Sequence, residues 1–260
     1  MRYLAERVGL RLEYELIERV DSSGFDIAAE VSRLISQGYS GINVTHPFKQ
    51  RLLNLVDRDF SSAESFIGAY NSLRFDDGII LGANTDFSGF KQGYVHHFGQ
   101  CEPGAVLVCG AGGAGRAIAR GLAELGASEL LIYDLIAEQA LRLADDLNQA
   151  GYRARAVAPD NLVASMGMVD GLINATALGM HHHPGSAFPL DAIGGQRWAF
   201  DAIYTPLETR FLGQARREGL EVVSGFNLWI FQGLDTFSFL TGVEVAPDPE
   251  ILDQALRWLD

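Results

Sequence analysis

The stretch Ala105-Val106-Leu107-Val108-Cys109-Gly110-Ala111-Gly112-Gly113-Ala114-Gly115 decides the fold. Five apolar residues read as a buried strand, and the glycines end it sharply. The segment that follows carries Ile118, Leu122 and Leu125 on one helical face. A lone G-x-G-x-x-G is weak, because glycine-rich turns also serve as plain connectors. Here it follows a strand, opens a helix and precedes a second strand ending in Asp134, 19 residues past Gly115. That context is strong and predicts a dinucleotide site. Gly110 permits the tight turn, Gly112 lets the backbone approach a pyrophosphate, and Gly115 lets helix and sheet close up. The N–H groups of the helix start, at Gly113 and Ala114, then face the phosphates.

Asp134 decides which cofactor. A carboxylate there accepts hydrogen bonds from both ribose hydroxyls, whereas a 2′-phosphate meets like charge. One pair of unit charges roughly 4 Å apart interacts by about 4 kcal/mol at an effective dielectric near 20. Leu135-Ile136 follows, with no arginine to clamp a phosphate. NAD is therefore expected over NADP. The competing reading is that Asp134 merely caps the next helix.

Outward from this turn, Glu129–Asp134, Gly171–Asn174, Trp198–Ile203 and Leu220–Val223 are further apolar strand candidates separated by helix-length segments. Repeated strand–helix units imply parallel strands with right-handed crossovers, a doubly wound α/β sheet. Upstream the texture changes near Cys101–Gly104. Leu12-Glu13-Tyr14-Glu15-Leu16 alternates like a strand, and Asp26 to Gln37 has helical spacing ending at Gly38. Gly41 to Val44 is a short strand, and Gly68 to Phe75 with Gly78 to Leu81 reads as a strand pair around Asp76-Asp77-Gly78. Phe87, Phe90, Tyr94 and Phe98 place a helix over Thr85 to Phe98. Phe226 to Thr241 and Pro249 to Asp260 read as two helices with no strand between them, expected to pack back on the first half. The expected division is thus a smaller α/β substrate domain, 1–101 completed by 226–260, and a Rossmann-type NAD(P)-binding domain, 102–225.

The bulk properties exclude several classes. The chain has 260 residues, 48% apolar and 20% charged, an ordinary globular balance. A net charge of −13 opposes non-specific binding to nucleic acid or anionic membranes. No apolar run reaches the roughly 18 residues of a spanning helix, and the charged first twenty residues are unlike a secretory signal. Cys101 and Cys109 read as reduced thiols. The expectation is a cytoplasmic enzyme, monomeric or homodimeric, acting on a small molecule.

The first half carries the polar residues. Asn43-Val44-Thr45-His46-Pro47-Phe48-Lys49 puts a lysine near the start of a helix, with Asn43 and Thr45 at the preceding strand end. Asn71 lies on a strand, and Asn84-Thr85-Asp86 precedes a helix. Lys49 alone is most simply a solvated cation, and Asp86 alone a first-turn residue. Two short polar runs at strand ends are harder to dismiss together, because a hydride-transfer site also needs groups that move a proton, and a lysine with a carboxylate can do so.

These residues resemble the shikimate/quinate dehydrogenase family. The likeness lies in Asn43 to Lys49, Gly68-Ala69-Tyr70-Asn71-Ser72, Asn84-Thr85-Asp86 and Gly110 to Arg116. It continues in order through Asn174 to Met180, Asp201-Ala202-Ile203-Tyr204-Thr205-Pro206 and Gly225 to Gln232. The resemblance covers nearly the whole chain. It implies a two-domain enzyme interconverting a 3-keto acid of the dehydroshikimate type with its alcohol, using NAD or NADP. Lys49 and Asp86 are then the catalytic pair, with Thr45, Asn71, Tyr204 and Gln232 holding the cyclic hydroxy acid. Asn174, Ala175, Thr176 and Met180 line the nicotinamide end, with Gly225 in the adjoining motif. Gln232 is otherwise a lone amide in an apolar helix, and a buried amide needs partners.

Two departures from the family pattern stand out. The family opens with an apolar strand and a Ser-x-Ser-Pro-like segment that holds the substrate carboxylate. Neither is found from Met1 onward, and Ser22 and Ser23 lie after the next strand. Tyr70 and Ser72 also replace a smaller apolar residue and a threonine. Three explanations of the opening compete: a first residue downstream of the protein's own start, a fragment, or a lost carboxylate anchor. The first is expected, because the other catalytic positions are intact. The alternatives for function are a dehydrogenase of a related substrate, such as an aminoshikimate, and a nucleotide-binding homologue without turnover. His181-His182-His183-Pro184 invites a metal, but no cysteine or carboxylate at ligand spacing accompanies it, and no metal is expected. His96-His97 and Asp145-Asp146 read as surface.

Overall fold

A computed structural model describes residues 1–18, 24–45, 47–60 and 66–259. The chain forms two compact units, Met1–Thr85 with Gln232–Pro247, and Asp86–Phe231 with Asp248–Asp260. The division falls inside two helices, Thr85–Phe98 and Gly225–Thr241.

In the first unit, β1 (Gly41–Asn43), β2 (Arg58–Asp59), β3 (Ser72–Asp76) and β4 (Ile79–Ala83) form a sheet in the order β1-β3-β4-β2. β3 and β4 make the expected hairpin. Its turn residues Asp77 and Gly78 have φ of 47° and 79°, the mirror-image turn that suits strand twist. The helix Ile27–Ser36 starts where Asp26 accepts N–H bonds from Ala28 and Ala29 at 3.0 and 3.1 Å. Ile27 and Val31 of that helix pack with Leu52, Tyr70 and Leu73 as the unit's core. From Gln232 onward the long C-terminal helix lays Phe239 against Leu81 and Ala83.

The alternating segment Leu12 to Leu16 does not become a strand, and Leu16 is exposed. A strand is a ladder, and among the described residues no strand pairs with this segment. A cavity of about 1460 Å³ is lined both by Leu12, Tyr14 and Leu16 of this segment and by Gly41, Ile42 and Asn43 of β1. β1 pairs with β3 through Ser40–Phe75 and Val44–Asn71. By antiparallel alternation, the backbone groups of Gly41 and Asn43 therefore point away from β3.

The second unit holds β5 (Ala105–Cys109), β6 (Glu129–Tyr133), β7 (Ala154–Ala156), β8 (Gly171–Asn174), β9 (Trp198–Asp201) and β10 (Glu221–Val223). All pair in parallel, in the order β10-β9-β8-β5-β6-β7. Leu107, Leu131, Leu172 and Ala199 on the sheet and Phe211 on the helix Arg210–Arg217 share its core. β7 is additional to the strands read from sequence, since Ala-Arg-Ala alternates over only three residues, too short a run to read as a strand. The helix Pro249–Arg257 groups with this unit, whereas the sequence reading placed 226–260 with the first. Its buried Ile251 and Ala255 announce an apolar face, but periodicity does not say which core that face meets. Cys101 and Cys109 are free thiols, and burial pushes the Cys109 thiol up. No helix among the described residues is long and apolar enough to cross a membrane.

Candidate active site

The strand order of the second unit reverses between β5 and β8, where open parallel sheets bind ligands. The glycine turn leaves β5 at this point. Gly110 has φ of 103° and donates its N–H to the Tyr133 carbonyl at 2.8 Å. A Cβ at Gly110 would meet the Ala175 carbonyl carbon at 2.8 Å, and one at Gly115 would run into the Gly110 carbonyl oxygen. A Cβ on Gly112, in contrast, meets nothing within 4 Å. Gly112 is the N-cap of the helix Gly113–Glu124 and supplies no side-chain cap, so the first N–H groups there lack that partner. An open backbone approach at a helix N-terminus without a side-chain cap fits a pyrophosphate.

Asp134 closes this site from β6. Its Oδ2 accepts the Ala111 N–H at 2.7 Å and its Oδ1 the Ile136 N–H at 2.9 Å. The following helix, Ala137–Gln149, has Ile136 as N-cap and no side-chain cap, so Asp134 is not its cap. Each carboxylate oxygen keeps a second lone-pair direction for a ribose hydroxyl. Leu135 and Ile136 beside it are exposed.

The ends of β8 and β9 are joined by a buried network. The Asn174 amide donates to Asp201 Oδ1 at 3.0 Å and to the Leu178 carbonyl at 2.9 Å. Its oxygen accepts from the Thr176 N–H at 3.0 Å and the Thr176 hydroxyl at 2.7 Å. Burial pushes the Asp201 carboxyl up to about 6, opposed by hydrogen bonds from Thr209, Ile203 and Asn174. Asn174, Ala175 and Thr176 thus form one braced loop, with Met180 exposed beyond it. Gly225 opens the long helix and donates to the Ile203 carbonyl at 3.2 Å; a Cβ there would meet the Ala202 and Ile203 carbonyl oxygens at 2.5 Å. Tyr204 is exposed and stacks on Trp229, with ring centroids 5.8 Å apart.

The first unit gathers a second polar cluster. Asn71, at the head of β3, is 1% exposed, a depth at which an amide must be hydrogen-bonded. Its Nδ2 donates to Thr85 Oγ1 at 2.9 Å, and its Oδ1 accepts the Thr85 N–H at 2.9 Å. Thr85 Oγ1 lies 3.5 Å from Gln232 Oε1 and 2.8 Å from Thr236 Oγ1. Asn43 donates to the Asn71 carbonyl at 2.9 Å, and Asn84 to the Ala69 carbonyl at 2.8 Å. Lys49 opens the 3₁₀ helix Lys49–Leu55, and its carbonyl accepts the Tyr70 N–H at 3.1 Å. Pro47 lies outside this helix, just before its N-cap Phe48. Tyr70, which departs from the family pattern, hydrogen-bonds through its hydroxyl to Asp59.

The structure brings Asn71 and Gln232 into one cluster from segments far apart in sequence. Thr45 lies exposed just before Lys49, and Asp86 sits in the first turn of the helix Thr85–Phe98. Thr85, Ser72 and Thr236 are cluster members that sequence reading did not single out as ligands. The available signal was the i, i+4 spacing of Gln232 and Thr236, which puts both on one helix face. Ser22, Ser23 and His46 lie outside the described residues. His183 pairs back to Met180 in a tight turn, and no group of three or more His, Cys, Asp or Glu among the described residues could hold a metal ion.

A reversed-order parallel sheet carrying this turn defines a Rossmann-type dinucleotide-binding unit. Comparison with known proteins is specific. Residues 1–73 match the family model described as the shikimate dehydrogenase substrate binding domain. The NADP(+) shikimate dehydrogenase of Streptomyces avermitilis is 36% identical over 245 residues, covering 92% of this chain and 84% of that protein. The NAD(+) quinate/shikimate dehydrogenase of Corynebacterium glutamicum is 36% identical over 236 residues, covering 89% and 83%. The structure of quinate dehydrogenase from Corynebacterium glutamicum in complex with NAD superposes with a TM-score of 0.88 at 33% identity, covering 98% of this chain and 91% of that one. The chain belongs to the shikimate/quinate dehydrogenase family.

Proposed function

We propose that the protein interconverts a cyclic polyhydroxy acid, shikimate or quinate, with its 3-keto form, using NAD in preference to NADP. The observation that carries the substrate half is the first unit's cluster: Asn71, Thr85, Gln232 and Thr236 converge from β3, a helix start and the long C-terminal helix. Amide and hydroxyl groups held in fixed orientations suit a ligand made of ring hydroxyls. Thr45, Asn71, Tyr204 and Gln232 are assigned to hold the substrate.

Lys49 and Asp86 are assigned the proton transfer. As the substrate alcohol is oxidised, its hydroxyl proton must leave while the carbon gives up hydride. The Lys49 amine accepts that hydroxyl proton, and the ammonium so formed stabilises negative charge on the reacting oxygen and passes the proton on to solvent. Asp86 orients the lysine. Positioned proton transfer of this kind contributes roughly 10²–10⁴-fold.

For the cofactor half, Gly110, Gly112, Gly113, Ala114 and Gly115 are assigned to the pyrophosphate and Asp134 to the adenosine ribose. Asn174, Ala175, Thr176, Met180 and Gly225 are assigned to the nicotinamide side. When bound, NAD supplies the hydride acceptor. The preference for NAD rests on the Asp134 carboxylate, which repels a 2′-phosphate.

Steady-state rates with shikimate and quinate, each against NAD and NADP, test the proposal. Turnover of at least one acid with NAD above NADP is expected, as is a narrower preference in Asp134→Ala. NAD binding without turnover of either acid contradicts the substrate assignment. An unchanged cofactor ratio in Asp134→Ala contradicts the role of that carboxylate.

A further inference from the structure

We propose that Asp201, a buried carboxylate at the end of β9, is a positioning residue for the nicotinamide half of the cofactor, fixing the loops after β8 and β9 together. The inference rests on the cofactor assignment above and names a residue with no role in it.

The geometry is that of a clamp with three arms. Asp201 is fully buried and lies level with Asn174 in the parallel register of β8 and β9. Its Oδ1 accepts from the Asn174 side chain at 3.0 Å and from the Ile203 N–H at 3.0 Å. Its Oδ2 accepts from the Thr209 hydroxyl at 2.7 Å. One arm therefore holds the 174–180 loop, the second the start of the 202–209 loop, and the third the head of the helix Arg210–Arg217.

An ionised carboxylate is acceptor-only, and that sets the polarity of everything bonded to it. Because Asp201 cannot donate, the Asn174 amide must turn its nitrogen toward β9 and its oxygen toward Thr176. That oxygen then receives both the Thr176 N–H and its hydroxyl. The Thr176 hydroxyl oxygen is left to accept the Leu178 N–H at 3.1 Å. The same logic applies on the other side. Thr209 spends its proton on Asp201, so its oxygen accepts the Leu212 N–H at 3.3 Å and caps the helix. Packing couples the arms as well: a Cβ on Gly179 would meet Ile203 at 3.2 Å and Thr209 at 3.3 Å. A neutral amide in place of Asp201 turns one of its two acceptor oxygens into a donor, so at least one arm loses its partner while the volume is kept.

The adenosine half is assigned to the glycine turn and Asp134, whose bonds do not run through Asp201. This separation supplies the test. Dissociation constants for NADH and for ADP-ribose are measured on the unmodified chain, Asp201→Asn, Thr209→Val and Thr209→Ser, with thermal unfolding run in parallel. In Asp201→Asn, NADH affinity is expected to fall about tenfold or more, the scale of one lost charge-assisted hydrogen bond, while ADP-ribose affinity stays within about twofold. Thr209→Val should show the same split at smaller size, and Thr209→Ser, which keeps the hydroxyl, should restore the unmodified values. Equal losses for both ligands would mean a general loosening of the unit and overturn the inference, as would unchanged NADH affinity. If Asp201→Asn does not fold, the Thr209 pair decides by the same criteria. Failure of the unmodified chain to bind either ligand overturns the cofactor assignment and the inference together; binding of both without the split overturns the inference alone.

Discussion

The sheet of the second unit is six parallel strands in an unbroken ladder, whereas that of the first has, among the described residues, four strands and borders a cavity of about 1460 Å³. In the second unit, strand and glycine turn are adjacent in sequence, and the chemistry assigned to them follows from backbone geometry. In the first, the polar cluster is assembled from Asn43, Asn71, Thr85, Gln232 and Thr236, and no two of these are sequence neighbours. One of the two clusters is thus written locally and braced by its sheet. The other depends on distant side chains carried by a sheet whose β1 edge faces a cavity.

Hydrogen exchange should show the largest contrast between the two. Backbone groups of Gly41 and Asn43 face away from β3, while Leu107 and Val108 lie between β6 and β8. Amides of β5 are expected to exchange at least roughly 10³-fold more slowly than those of Gly41 and Asn43, since core strands approach the global stability and open edges do not. Equal protection would erase the distinction.

Within the glycine turn the comparison can be narrowed to two residues. Gly115→Val forces a side chain against the Gly110 carbonyl, a backbone atom that cannot swing aside. The expected cost is about 3 kcal/mol, seen as a thermal midpoint lower by several degrees. Gly112→Ala meets open space and should leave the midpoint unchanged while weakening NADH binding. Matching midpoints for both variants would show that the turn is not held by close packing.

The smallest effect concerns pH. Asp201 in the folded chain is raised from 3.8 to about 6, so the native state holds this proton more tightly than the unfolded chain does. Its contribution to stability is full below about pH 4 and is lost as pH rises through about 6. Between about pH 7 and pH 5 the unmodified chain should gain about 1 kcal/mol relative to Asp201→Asn, measured by denaturant unfolding. Parallel curves for the two would refute the coupling.

The same contrast explains what sequence alone could yield. β5, its glycine turn and the helix Thr85–Phe98 were legible because each has a strong local period or punctuation. Leu12 to Leu16 has the alternation of a strand but gains no partner, and pairing is a tertiary property that alternation cannot supply. Ala154–Ala156 alternates over only three residues, too short a run to read as a strand, and becomes one by pairing with β6. The candidate site divides the same way. Gly110, Gly115 and Asp134 were readable from spacing, whereas the hydroxyls of Ser72 and Thr236 resemble any others until the fold sets them beside Thr85 and Asn71.

Lys49 and Asp86 are assigned to serve one substrate as a unit, and a double-mutant cycle decides that assignment. Turnover and NADH affinity are measured for Lys49→Ala, Asp86→Asn and the double variant. Lys49→Ala should lose roughly 10²–10⁴-fold in kcat with NADH affinity nearly intact, and the double variant should fall little further, because residues acting together are not additive. Turnover near that of the unmodified chain in Lys49→Ala, or a double variant whose loss is the product of the two single losses, would contradict it.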